Sequence, residues 1–202
     1  NLKTFQEAGG GFKGYQENGG DHVESSIDTA FSLLALMPYE NFSIEDADAA
    51  INFLKNLQNS DGSFNLTFNT QYNRLYSLGP EPISLTAVSV LALSEAGEDI
   101  DLSINFLKDS AKTCFGNTDR SYSAAIAAIA FDRVGETEYA EAAVNYLKLL
   151  QKSDVGFVDS TRLGSDSNAL DTAWAAIAML AVGENTTANI CAPLDGELIV
   201  LP

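Results

Sequence analysis

Carboxylates standing just ahead of apolar segments are the residues best placed to do chemistry in this sequence. Asp28-Thr-Ala30 and Asp171-Thr-Ala173 each put an acid at the head of such a run. A carboxyl group in a dry pocket, with carboxyl neighbours to polarise it, can protonate a substrate. The same position also serves structure alone, because an acid in a first helical turn meets free N–H groups and the positive end of the helix dipole. Glu45-Asp-Ala-Asp48 and Glu98-Asp-Ile-Asp101 are denser clusters. They lack the alternating ligand spacing of a calcium loop and read as solvated first turns. The only histidine, His22, has no nucleophile elbow to accompany it, so no Ser–His–Asp set is readable. Cys114 and Cys191 are remote from each other and flanked by nothing ligand-like, so no metal site and no cofactor is read here. The two could pair as one disulfide in an oxidising compartment.

Binding chemistry is read from aromatic residues. Trp174 and Tyr122 lie on apolar segments, as do Phe31 and Phe131. Trp174 shares a helical face with Leu170, Ile177 and Ala181, which suits either core packing or the wall of a central pocket. A long insert, Asn65 to Pro82, carries Phe68, Tyr72, Arg74 and Tyr76. Loops of that length in a compact domain are often functional, and these side chains suit a protein partner or a flat ligand.

Bulk properties narrow the partners. The 202 residues carry 28 acidic and 11 basic side chains, a net charge of −17, with 46% apolar residues. That length supports one domain with a sizeable core. So acidic a surface repels phosphate backbones and anionic membranes, which excludes nucleic acid as a partner. No apolar run is long enough to cross a bilayer, so no membrane insertion is expected. The triplets at Asn41, Asn65 and Asn185 fit N-glycosylation and point toward a secreted or cell-surface setting.

The elements that must position these residues are repeated. Gln6-Glu-Ala-Gly-Gly-Gly-Phe12 returns as Gln58-Asn-Ser-Asp-Gly-Ser-Phe64, with Gly62 inside it, and as Gln151-Lys-Ser-Asp-Val-Gly-Phe157, whose glycine is shifted by one. Ile51-Asn-Phe-Leu-Lys55 and Val144-Asn-Tyr-Leu-Lys148 precede the later two copies. Ile104-Asn-Phe-Leu-Lys108 is a third copy of that element, followed by Ala111 where glutamine is expected. Ala96-Gly-Glu98, Val134-Gly-Glu136 and Val182-Gly-Glu184 each end an apolar run, where glycine fits a left-handed helix C-terminus. Four units follow, at about 1–40, 41–97, 98–135 and 136–183.

Each unit holds two kinds of helix. The first is amphipathic, as in 46–58, where Ala47, Ala50, Ile51, Leu54 and Leu57 share one face and Ser43 with Asp46 forms a capping box. The second is apolar almost all round: Ala30 to Met37, Leu85 to Leu93, Ala124 to Phe131 and Ala173 to Val182. A helix apolar on every face is expected to be buried on every face. The pattern predicts an all-α fold of about four helical hairpins, amphipathic helices outside and apolar helices inside. The loop joining them carries the Gln–Phe element as a structural staple.

Gln-x3-Gly-x-Phe resembles the QW motif of squalene/hopene cyclases and their relatives, with Phe in place of Trp. The resemblance to this terpenoid cyclase/protein prenyltransferase superfamily covers about 1–183 and implies an α/α toroid. Four hairpins are fewer than the usual six, so the arrangement is an open arc or a smaller ring. The resemblance also maps the proton-donating Asp-x-Asp-Asp-Thr-Ala motif of class II cyclases onto Asn168-Ala-Leu-Asp-Thr-Ala173. Only the last acid remains, and Leu170 stands where the donor belongs. The scaffold without the acids implies a non-catalytic module that binds a small molecule or protein at one end of the ring. The alternative is an isoprenoid enzyme that uses Asp28 and Asp171. Residues 184–202 change character, with polar Asn185-Thr-Thr-Ala-Asn189 and then Leu198-Ile-Val-Leu201. They read as an exit linker or the first strand of a following domain in a larger multidomain chain.

Overall fold

A computed structural model describes residues 2–16, 22–39, 42–67, 82–117, 120–158 and 166–183. Seven helices of eleven to fourteen residues dominate: α1 (Ser26–Leu36), α2 (Ile44–Asn56), α3 (Pro82–Glu95), α4 (Asp101–Lys112), α5 (Ser121–Arg133), α6 (Thr137–Leu150) and α7 (Ala169–Val182). A 3-10 turn, Leu2–Phe5, and a helical turn, Cys114–Asn117, complete the helical part.

The apolar helices form the inner layer. α1 packs on α3, α3 on α5 and α5 on α7, while α2, α4 and α6 lie against them from outside. Polarity drives this sorting. In α2 the residues Ala50, Ile51, Phe53 and Leu54 are buried and the charged residues face out. In α3 every residue from Ile83 to Leu93 is buried. α5 is nearly as enclosed, and its alanines at 124, 125, 127, 128 and 130 let neighbouring backbones approach closely.

Burial on every face does not extend to the two terminal inner helices. α7 buries only Asp171, Ala175 and Ala178, while Leu170, Ile177 and Leu180 are 44%, 48% and 81% exposed. On the face that Trp174 shares with Leu170, Ile177 and Ala181, Trp174 is half-buried against the core and the other three are exposed. α3 and α5 each have inner neighbours on both sides, whereas α7 packs broadly only on α5 and α6. A second difference lies after Phe12, where β1 (Phe12–Gln16) pairs antiparallel with β2 (His22–Ser25), an element the helical repeat pattern does not announce.

The glycine stops behave as their positions demand. Gly97 and Gly135 have φ of +76° and +79°. The next N–H reaches back five residues in a Schellman closure, Glu98 to the Leu93 carbonyl and Glu136 to that of Phe131, both at 2.9 Å.

The two repeat signatures turn out to be partners. Lys55, near the end of α2, meets Glu98 before α4 at 2.6 Å, and Lys108 in α4 meets Glu136 before α6 at 2.7 Å. Lys3 likewise pairs with Asp46 in the first turn of α2. α2 and α4 thus each hand a cation to an acid at the start of the next outer helix, where an acid also suits the helix dipole.

Candidate functional site

Three Gln–Phe loops share one hydrogen-bond scheme. The residue after each glutamine donates its N–H to the carbonyl four further on: Glu7 to Gly11, Asn59 to Ser63, Lys152 to Gly156, at 2.8–2.9 Å. Each aromatic then donates its N–H to a threonine hydroxyl in the first turns of the following inner helix. Phe12 reaches Thr29 at 2.9 Å, Phe64 reaches Thr86 at 3.1 Å and Phe157 reaches Thr172 at 3.0 Å. The rings of Phe12, Phe64 and Phe157 are buried. Gln6 Nε2 donates to the Gly10 carbonyl and, at 2.8 Å, to that of Asp46 in α2. Gln58 Nε2 donates to Ser103 Oγ in α4, which passes a hydrogen bond on to the Gly62 carbonyl. Gln151 Nε2 donates to the Val155 carbonyl at 3.0 Å.

This scheme accounts for the Thr-Ala of the two Asp-Thr-Ala segments: the threonine receives the loop's aromatic residue. The acids are engaged as well. Ser25 is the N-cap of α1, accepting from the Asp28 N–H and donating its hydroxyl to Asp28 Oδ2 at 2.5 Å. Asn168 caps α7 in the same way, accepting from the Asp171 N–H and donating Nδ2 to Asp171 Oδ2 at 2.5 Å. In both, the aspartate is the third helical residue and its carboxylate accepts from the side chain of the cap. The free N–H groups are therefore met by Ser25 and Asn168, and the acids reciprocate. Asp28 also lies over Gly14, where any Cβ would sit 2.2 Å from its carboxylate.

One helical turn beyond each acid stands an aromatic ring, Phe31 after Asp28 and Trp174 after Asp171. Their centroids are 5.9 Å apart, joining the first and last inner helices. Tyr122, from α5, meets Trp174 edge-on at 6.1 Å with planes at 87°. Three inner helices thus converge on one aromatic cluster, with Tyr122 buried and Phe31 and Trp174 half-buried. The Tyr122–Trp174 pair is edge-to-face and the Phe31–Trp174 pair is tilted, at centroid spacings where aromatic rings attract one another. Phe131 does not join them, because it packs on Tyr139 at 5.5 Å.

A family model for the prenyltransferase alpha-alpha toroid domain matches residues 1–192. The chain belongs to that family. No curated protein matches the chain.

Within the toroid, other candidates are placed as follows. Glu45 and Asp48 lie exposed in the first turns of α2, and Asp101 is exposed in that of α4. Among the described residues no group of three His, Cys, Asp or Glu could hold a metal ion. No described helix is long and apolar enough to cross a membrane. Cys114 is buried and disulfide-bonded, and it adopts the left-handed backbone together with Phe115. Cys191, the insert residues Phe68, Tyr72, Arg74 and Tyr76, and the segment 184–202 lie outside the described residues. The Asn65 amide nitrogen, which a glycan would need, donates to Asn59 at 2.8 Å.

Charge is tuned mainly at the loops. The Ser63 hydroxyl and N–H hold the Asp61 carboxyl below its ordinary range, and the Gly156 N–H and Ser167 hydroxyl do the same for Asp154. Lys3, then Ser43, lower that of Asp46. Glu24, on β2, goes the other way: burial raises its pKa, opposed by a hydrogen bond from the Gly11 N–H. Sequence reasoning found the loop residues by repetition but did not pair the lysines with the glutamates. The signal was present in two signatures that recur at unequal separations.

Proposed function

We propose that the chain is a non-catalytic toroid module of a secreted or cell-surface protein, and that it binds an apolar, flat-faced ligand at the inner-helix cluster of Phe31, Tyr122 and Trp174. The observation that carries the reading is the convergence of those three rings from α1, α5 and α7. Asp28 and Asp171 are tied into their own caps, which favours binding over proton donation. The disulfide at Cys114 supports an oxidising compartment.

Trp174 is the only tryptophan, so its emission reports directly on the cluster. Titration with isoprenoids, corrinoids and glycans, with and without Ca²⁺, should quench or shift that emission for one class. Tyr122→Ala should weaken the response at least tenfold. Turnover of squalene or of a prenyl diphosphate, lost on Asp171→Asn, would establish the isoprenoid enzyme instead. Saturable binding that ignores Tyr122→Ala would move the site elsewhere.

A further inference from the structure

We infer that Val155 closes the repeat series, because the Cβ it places on the fourth unit's Gln–Phe loop bars the backbone of a further outer helix. The fourth position after each glutamine takes a left-handed backbone: Gly10 at φ +91°, Gly62 at +90° and Val155 at +69°. The first two are glycines for two reasons. Left-handed geometry favours a residue without Cβ. The next outer helix also lies directly on that spot. A Cβ at Gly10 would come within 2.1 Å of the Ala49 carbonyl oxygen in α2, and one at Gly62 within 2.3 Å of the Leu102 oxygen in α4. Non-bonded heavy atoms rest at roughly 3.5 Å, so neither helix could stay. Glycine is thus the socket into which the following helix docks, and the glutamine amide reaching Asp46 or Ser103 is its second arm.

The fourth loop keeps the fold of the first two, with the same internal hydrogen bonds and the same threonine contact. It differs in what lies outside. Val155 is 69% exposed, and Gln151 is exposed with its amide on its own loop. A β-branched residue in the left-handed region is strained, and the chain tolerates that strain at the one loop where no following helix is described. The third unit docks its neighbour differently. Ala111 replaces the glutamine, the loop is a helical turn, and buried Phe115 packs on Tyr146 of α6 at 5.6 Å. That solution is built from side chains and is not available to the fourth loop, whose backbone matches the glycine type.

The test inserts a second copy of residues 98–135 after Gly183 of the full chain, in Val155, Val155→Ala and Val155→Gly backgrounds. Amide exchange then reads the inserted copy of α4, with the native α4 as an internal control for folding. With Val155 or Val155→Ala the inserted helix should exchange as an undocked segment. With Val155→Gly it should slow by about 100-fold. Equal protection in all three chains, or in none, overturns the inference. Docking in Val155→Ala would show that side-chain bulk, and not the Cβ, is the barrier, which also overturns it. In the unmodified chain Val155→Gly should raise the folding equilibrium constant about fivefold to tenfold by releasing the left-handed strain. No increase would contradict the strain on which the argument rests.

Discussion

The loop at 58–64 and the loop at 151–157 have nearly the same backbone and opposite surroundings. The first is roofed by α4: Gly62 is buried against Leu102, and Gln58 reaches Ser103. The second stands open, with Val155 in the glycine's place and Gln151 exposed. Hydrogen bonds internal to the loop are therefore sufficient to set its shape. What the neighbouring helix decides is which residues the shape can carry. A glycine in such a loop lets the next outer helix lie directly on its backbone.

The largest effect on this contrast should come from Phe64→Ala. Its ring is fully buried, and truncating such a ring costs about 3–5 kcal/mol. Denaturant unfolding should show that loss, and hydrogen exchange should place it in α2 to α5, with α7 much less affected. Unchanged stability with abolished binding would turn the aromatic into a recognition residue. Next comes the glutamine pair. Gln58→Leu should cost about 1–3 kcal/mol, because it strands the Ser103 hydroxyl relay to Gly62. Gln151→Leu, at an exposed loop, should stay within about 0.5 kcal/mol. Equal losses in the two variants would erase the distinction between roofed and open loops.

The lysine–glutamate links between outer helices are partly exposed, so a double-mutant cycle on Lys108 and Glu136 should yield only about 0.2–1 kcal/mol. The value should shrink with added salt. Smallest is the response to pH. Asp61 and Asp154 have folded-state pKa values below their unfolded ones, so the stability they contribute is present above about pH 4. It is lost as pH falls through the folded values. Asp61→Asn and Asp154→Asn should therefore each flatten the acid limb of a stability–pH curve. Glu24 has the opposite sign: its raised pKa favours the folded state at low pH, and that advantage fades as pH rises through its folded value. Glu24→Gln should accordingly be more stable than the parent at pH 7 and no more stable at pH 3.

Much of the fold was legible because its determinants are local. The period of apolar residues separated α2, α4 and α6 from α1, α3, α5 and α7. Ser43 with Asp46, and the glycines at 97 and 135, marked helix ends through bonds made within a few residues. The recurrence of Gln–x5–Phe identified the loops, since one backbone shape accepts few residue types at its turning point. The β1–β2 hairpin after Phe12 was not legible, because it is a single insertion with no second copy to reveal it. Nor did the sequence show that Lys55 and Lys108 answer Glu98 and Glu136, as those pairs close across loops of unequal length.

The chemistry of the inner face was decided by tertiary structure. Phe31, Tyr122 and Trp174 are scattered over the chain and become neighbours only when the inner helices are set side by side. The sequence determined that Trp174 lies on an apolar helix beside Leu170 and Ile177. Whether that face is core or surface depends on what packs beside α7. Propensity and periodicity act within a helix, whereas burial is fixed by its neighbours, and only the assembled layers show α3 enclosed on every side and α7 open along one.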